Sequence, residues 1–338
     1  MTRVSFDIVP YSEGLLSAYT LLIPRQQQVV EAGKIAWKLR DHPAGPGVIA
    51  VCRSAEGAVL GMTAFQPTRF IDGNDKLLFG HQAMDTAASP DANVPGLTLR
   101  LVQTFYDRVD SPCVFGFPNE KSGAFFFGRL QWKRLGMTPI VWRPLRSGFL
   151  SRRLLGGGFD FPLPRLSIRR PRRKAVAGLS RFEDSHAAAW ATLRKLRTPK
   201  IAVDRSPEVL NWRFVSNPAF KYDLWAIGHE AIAVSRIQEI HGERVLHICE
   251  LMGDVADMAS LVDTLIAHYA DQRPDYAMAW AIRGSPVHTA LHEAGFFDLP
   301  DRFRRNKIYF GARGVAGDRS AVPDQSDWHL TLFDSESI

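Results

Sequence analysis

The sequence predicts two α/β domains in tandem, and three observations carry that expectation. Strand and helix signals alternate along nearly the whole chain,. Its 338 residues exceed what one hydrophobic core usually organises. A local pattern also recurs: residues 37–51 read WKLRDHPAGPGVIAV and residues 212–227 read WRFVSNPAFKYDLWAI. Each stretch opens with a Trp, a cation, four residues and a Pro, then enters an apolar run.

The elements follow in order. A strand is expected over 4–9 and helical material over 13–40. Strands are then expected over 48–52, 58–70 and 76–87, the last two joined by the turn sequence IDGND,. Leu97, Leu101 and Phe105 share a helical face, predicting a helix over 97–109,. A short buried strand at 113–117, a helix near 120–130 and a strand at 138–143 complete the first series. The second series repeats the order: helices at 183–196 and 206–215, strands at 222–228, 230–238 and 243–252, and a helix at 255–271. A strand at 276–282, a helix at 285–294 and a strand at 304–311 follow. FGFPNEKSGAFFFGRLQW and AWAIRGSPVHTALHEAGFF form a second matching landmark, each a short strand leading to a helix that stops at an aromatic, Trp132 or Phe296. From these landmarks the second copy is about 11 residues shorter, and the missing length falls naturally in the turn between Phe70 and Lys76,. Trp37 and Trp212 read as core aromatics at each helix–strand corner.

Composition excludes several classes. A hydrophobic share of 46% with 11% aromatics suits a well-cored globular chain and excludes a disordered or fibrous one. No window is apolar enough for a membrane span. The opening MTRVSFDIVPYSEG carries acids by position 13 and no apolar core of a signal peptide,, so a cytoplasmic protein is expected. Cys52, Cys113 and Cys249 stand far apart and show no metal-ligand or redox spacing,. No metal is expected.

The formal charge of +7 is local. Residues 143–174 hold nine Arg and one Lys against one Asp, and their Gly and Pro content argues against a regular core element. We read residues 1–142 as a first domain, 143–178 as a basic linker, 179–312 as a second domain and 313–338 as a loosely held tail. Three readings of the belt stand. It is a solvated linker, a contact for an anionic membrane surface through interleaved Phe and Leu, or an arginine cluster for a phosphorylated effector. Nucleic acid is disfavoured, because aromatic stacking platforms and a binding module are missing.

The chemistry concentrates in LLFGHQAMDTAASPDANVPGLTLRLVQTFYD, residues 77–107. It reads as a strand, a loop with Pro90, Asp91, Asn93, Pro95 and Gly96, and an amphipathic helix. A helix start with exposed N–H groups is suited to an anion, and a Gly there admits a phosphate close to the backbone. This stretch, with GFPNEKSGAFFF at 116–127 and the paired WK/WR openings, resembles the GCN5-related N-acetyltransferase (GNAT) superfamily, in a subgroup with two such domains associated with surface polysaccharide or lipid assembly. The resemblance spans residues 3–311. It implies a mixed, mainly antiparallel sheet flanked by helices in each domain, and acyl-CoA as co-substrate. It also implies that the strand carrying Met84 and Thr86 pairs with the pantetheine arm. The pyrophosphate loop falls on Asn93, Val94, Gly96, Leu97 and Thr98, and Asn119 lies near the CoA arm. Only Gly96 keeps the family residue type, and Pro95 has no N–H to offer.

An acceptor ammonium must lose a proton before it attacks a thioester. Asp85 stands where the family places its general base; the other reading makes it a cap on the loop at 86–89. His81, four residues before it, falls on the same strand face by alternation and reads either as a second catalytic candidate or as a residue that packs or hydrogen-bonds structurally. The family's acid for the leaving thiolate is commonly a Tyr on the later helix, where this chain has Phe125, Phe126 and Phe127, leaving Tyr106 as a substitute. The second copy reads as silent, because Asp254 and Asp257 at its helix start repel a pyrophosphate. The expected function is acyl transfer from acyl-CoA to an amine on a sugar or lipid precursor, sphingoid-type precursors included. Two rivals remain: an aminoacyl-tRNA-dependent transferase with the same doubled fold, and an inactive pair that only binds a partner or effector.

Overall fold

The computed structural model describes residues 3–22, 33–148, 151, 156, 159–164, 174–304, 306–314 and 322–335. The first half runs β1 (Val4–Pro10), α1 (Glu13–Leu22), α2 (Lys34–Leu39), β2 (Val48–Ser54), β3 (Val59–Asp72) and β4 (Leu77–Ala88). It continues with α3 (Leu97–Arg108), β5 (Cys113–Gly116), α4 (Glu120–Gly123), which passes into a π-helical turn at 124–129, then β6 (Lys133–Met137) and β7 (Ile140–Pro144). The second half runs β8 (Ala177–Leu179), α5 (Ala187–Leu196), β9 (Ile201–Val203), α6 (Pro207–Leu210) with a π-turn at 211–215, β10 (Asp223–Ile227), β11 (Ala231–Ile240) and β12 (Glu243–Met252). It ends with α7 (Val255–His268), β13 (Tyr276–Trp280), α8 (Pro286–Glu293), β14 (Phe297–Asp298), β15 (Tyr309–Gly314) and β16 (Trp328–His329).

These elements form two compact units, Met1–Met137 with Asn217–Ala219 and Asn306–Gln325, and Thr138–Ser216 with Phe220–Arg305 and Ser326–Ile338. The first sheet runs β1-β2-β3-β4-β5-β15-β6, and the second runs β14-β7-β13-β12-β11-β10-β8. Along these paths each is mainly antiparallel, with one parallel step, β4–β5 in the first and β12–β13 in the second, and off the first path β16 pairs with β9 in parallel. The two orders match when β15 and β7 are placed as equivalents. Each sheet is therefore completed by a strand from the opposite half of the sequence. The strand expected near 138–143 does not close the first domain; it pairs with β13 as part of the second sheet. The strand expected at 304–311 forms at 309–314 and pairs with β5 and β6 of the first. Local pattern reports a strand's existence but not its partner, so the exchange left no mark in the hydrophobic periodicity.

Helices cover the first sheet on both faces. Leu15 and Tyr19 of α1 and Ile35 and Leu39 of α2 pack with Ile49, Val51, Met62, Ala64 and Met84. On the other face Val102 and Phe105 of α3 pack with Phe65, Val114, Phe126 and Trp132. The β3–β4 hairpin runs from Val59 to Ala88 and the β11–β12 hairpin from Ala231 to Met252. Most of the length missing from the second copy is lost there.

Two expectations need correction. The belt at 143–174 begins inside a strand, and Arg143 is buried, donating to the carbonyl of Ala294 at 2.6 Å with Asp263 at 3.6 Å. Its arginines from 152 to 173 lie outside the described residues, with the membrane and effector readings that rest on them. The tail is not loosely held over 328–335: Trp328, Leu330, Leu332 and Phe333 are buried in the second unit. Buried cations of that unit, Arg205 and Arg213, need the tail's oxygens as partners.

Candidate active site

The centre of the site is an irregularity in β4. Its pairing with β3 slips between Met62 and Ala64, and at the slip Asp85 takes φ +48°. Asp is among the few side chains that tolerate this left-handed region. The bulge breaks strand alternation, so Asp85 joins Met84 on the face covered by α1 and α2. There its carboxylate accepts the O–H of Tyr19 and pairs with the ammonium of Lys38. The Lys38 and Asp85 side chains are both 4% exposed. A buried pair of this kind persists only while each charge keeps its partner.

His81 does not share that face. It lies under α3, its ring edge-on to Phe105 at 5.1 Å, with Nδ1 2.9 Å from the Ser111 hydroxyl. Burial pushes its pKa down to about 4. Tyr106 accepts the indole N–H of Trp132 at 2.7 Å and lies beneath the Arg313 guanidinium, 3.8 Å from the ring centre. Burial raises its pKa, so the phenol keeps its proton. It opens on a cavity of about 460 Å³ lined also by Asp107, Arg108 and Ser111. Ten helical residues, about 15 Å at 1.5 Å each, separate it from Gly96. The structure thus brings neither His81 nor Tyr106 to Asp85.

The residues expected to hold a cofactor do gather. Among the described residues β4 and β5 pair in parallel only at His81↔Val114 and Gln82↔Phe115, although β4 continues to Ala88, so the two strands part beside the bulge. The loop then turns back: the Ser89 N–H donates to the Leu60 carbonyl at 2.8 Å, and Leu97 packs directly on Gly61, the partner of Ala88. This sets the start of α3 over the end of β4. Gly96, the residue before that helix, has φ +66° with open space where a Cβ would stand, a conformation that favours glycine. No side chain caps the helix, and its first turn holds no acid. Asn93 is exposed, Val94 and Thr98 are half-buried, and the Val94 carbonyl accepts the Leu97 N–H at 3.2 Å. The Thr86 hydroxyl is bonded to that of Thr63 at 2.7 Å. Asn119 instead spends its side-chain carbonyl on the Ser122 N–H at 3.0 Å, capping α4.

The same architecture occurs in solved structures. A GCN5-related N-acetyltransferase from Anabaena variabilis superposes with TM-score 0.60 at 12% identity, covering 92% of this chain and 73% of that one. Another, from Kribbella flavida, gives TM-score 0.58 at 12% identity, covering 92% and 71%. The N-myristoyltransferase of Saccharomyces cerevisiae, solved with bound myristoyl-CoA, gives 0.55 at 10% identity, covering 91% and 82%. The fold is GNAT-like. No family model matches the chain, and no curated protein matches it in sequence.

The second GNAT-like unit repeats the plan and fills it differently. β12 bulges between its pairs Val234↔Glu250 and Ser235↔Ile248, at Cys249. Beside that bulge the Glu250 carboxylate accepts from Arg205 at 2.8 Å and from the Thr331 hydroxyl at 3.0 Å. Burial would raise its pKa, but the Arg205 guanidinium prevails and holds it down to about 2. At the helix start Asp254 accepts the N–H groups of Ala256 at 2.8 Å and Asp257 at 2.9 Å. The donors that a phosphate would need are already taken.

Two residues at the first site, Lys38 and Tyr19, escaped the sequence reading, as did Tyr309 beside the helix after β5. The WK and WR openings drew attention to their Trp, yet Trp212 is only half-buried, and the cations are the more buried partners there. Lys38 pairs with Asp85, and Arg213 donates to the carbonyls of Phe333 and Ser335. Tyr19 gave no signal beyond its helical spacing. Tyr309 comes from β15: its N–H donates to the Pro118 carbonyl at 2.8 Å, and its ring stands edge-on to Phe127 at 5.9 Å.

Proposed function

We propose that the first unit binds acyl-CoA and transfers its acyl group to an amine, with a sugar or lipid precursor as acceptor. The uncapped helix start at Gly96 beside the parting of β4 and β5 carries this reading. The N–H groups of the first turn after Leu97 suit a pyrophosphate, and the strand edge suits the amide groups of a pantetheine arm. The GNAT-like fold of enzymes with these activities supports it further. In the proposed reaction the amine attacks the thioester carbonyl, the C–N bond forms and the C–S bond breaks. The proton lost by nitrogen ends on the CoA sulfur. Most of the acceleration comes from holding thioester and amine together. Asp85 serves as the proton acceptor on the α1 and α2 face. Tyr309 supplies the phenol that Phe125, Phe126 and Phe127 cannot, and so takes the acid role expected of Tyr106.

The test is calorimetry of the full chain with acetyl-CoA, a long-chain acyl-CoA and an aminoacyl-tRNA. One thioester site per chain supports the proposal. Binding of aminoacyl-tRNA alone moves the chain to the rival transferase reading, and binding of none of the three leaves a partner-binding pair. An acceptor near anionic lipid is part of the proposal, and the exposure of Phe159 and Phe161, within the basic belt, at 79% and 53% supports it. Equal co-sedimentation with anionic and neutral vesicles at low salt would remove the membrane from the proposal. No helix among the described residues is long and apolar enough to cross a membrane.

A further inference from the structure

Three potential metal ligands converge in the second unit, within a cluster that acyl transfer does not use. α8 carries His288 and His292 four residues apart, so both imidazoles leave the same face of the helix. Their ring centres lie 4.1 Å apart. After α8 the chain turns at Gly295 and runs into β14, which brings Asp298 against that face. Asp298 Oδ1 lies 3.1 Å from His288 Nε2 and 3.9 Å from His292 Nε2. One ligand atom from each residue lies within 4.8 Å of the other two. Ligands on a tetrahedral zinc ion, each about 2.0–2.1 Å from the metal, stand roughly 3.3 Å apart, so small side-chain rotations close the set.

Two further details favour a cation. His292 Nε2 is buried with no hydrogen-bond partner, and such a nitrogen lacks the compensation that buried polar atoms normally have. The second oxygen of Asp298 accepts from Arg283 at 2.7 Å. This fixes the carboxylate while Oδ1 faces the imidazoles, the kind of outer support that orients metal ligands. The nearby guanidinium charge weakens cation binding, which argues for an exchangeable ion and not a permanently held one.

We propose that His288, His292 and Asp298 form a binding site for a zinc-type divalent transition metal, clamping α8 to β14. Two nitrogens and one carboxylate oxygen suit Zn²⁺ or Co²⁺ and do not suit Mg²⁺. The side chains are 12%, 38% and 38% exposed, leaving the remaining coordination positions open to water or an anion. The absence of cysteine spacing gave no hint of this site, since Asp298 comes from the strand after the helix.

The experiment is calorimetric titration of the tag-free full chain, first stripped with a chelator, with Zn²⁺, Co²⁺ and Mg²⁺ separately. The expected result is one equivalent of Zn²⁺ or Co²⁺ bound, a visible absorption band for Co²⁺, and no saturable Mg²⁺ uptake. Asp298→Asn keeps the shape of the side chain, and His292→Gln alters a partly exposed one. Each is expected to weaken Zn²⁺ binding at least tenfold while leaving the metal-free melting temperature within a few degrees. Absence of one-equivalent binding in the unaltered protein would overturn the site, as would full-affinity binding in the Asp298→Asn/His292→Gln double variant. In either case the cluster is a hydrogen-bonded clasp between helix and strand.

Discussion

Asp85 touches both the Lys38 ammonium and the Tyr19 phenol, so it holds structure as well as standing where a base is proposed. Asp85→Asn therefore does more than remove a base. It removes the charge that faces the buried Lys38 ammonium, at a cost of about 3–5 kcal/mol, whereas the backbone at φ +48° accepts Asn readily. The expected outcome is a large loss of stability in denaturant unfolding, and recovery of more than half in the Asp85→Asn/Lys38→Met double variant. If that stable double variant retains unaltered turnover, Asp85 does not take the proton. His81 gives a separate prediction. Its folded pKa is depressed to about 4 from the ordinary imidazole value of 6.5. As pH falls through that window the unfolded chain binds a proton that the folded chain refuses, so stability present above pH 6.5 declines by up to about 3 kcal/mol. Replacing His81 with Asn should flatten the decline between those pH values, measured by urea unfolding at each pH.

At the scale of elements, the proposal has the two helix starts after the long strands decide which unit takes a phosphate. Thr98→Glu places a carboxylate in the first turn of α3 without disturbing Gly96. The acid should stabilise the helix by about 0.3–1 kcal/mol through its dipole and at the same time repel a pyrophosphate. Raised melting temperature with lost CoA binding is the expected pair of results; retained affinity would place the cofactor elsewhere. Asp254→Ser keeps a cap on α7 and should leave CoA affinity unchanged. Much of this was legible from residues. The loop around Gly96 and the acids after Gly253 could be read because helix starts are written locally, in caps and glycines. The bulge at Asp85 could not, because a register slip belongs to two strands at once. Counting by twos along β4 therefore put His81 and Asp85 on one face, although they lie on opposite faces. Lys38 was visible only as half of a repeated dipeptide, and its burial depends on a carboxylate 47 residues away.

The exchanged strands set the behaviour of the whole molecule. β15 pairs with four residues of β5 and four of β6, and residues 1–142 alone contain neither β15 nor a substitute. Expressed by itself, that fragment would present the edges of β5 and β6 unpaired, an aggregation hazard. It should be insoluble or fail to bind CoA, whereas the full chain is expected to bind it. A soluble, CoA-binding 1–142 fragment would show that β15 is dispensable. The same dependence separates the long-range pairing from anything readable in sequence. Each strand is marked by its own residues, but its partner lies in the opposite half.

The placement of β15 also sets a timetable for synthesis. Gly311 pairs with Gly116, so nearly two hundred residues must leave the ribosome after β5 before its partner exists. At about 5–20 residues per second that is a wait of roughly 10–40 s, long beside the microseconds to seconds in which small domains fold. During the wait β5 has an open edge, and neither Tyr309 nor Arg313 has been made. The half of the protein that is translated first is thus the half that must be finished last, and its maturation depends on whatever shields that edge until the carboxyl-terminal strand emerges.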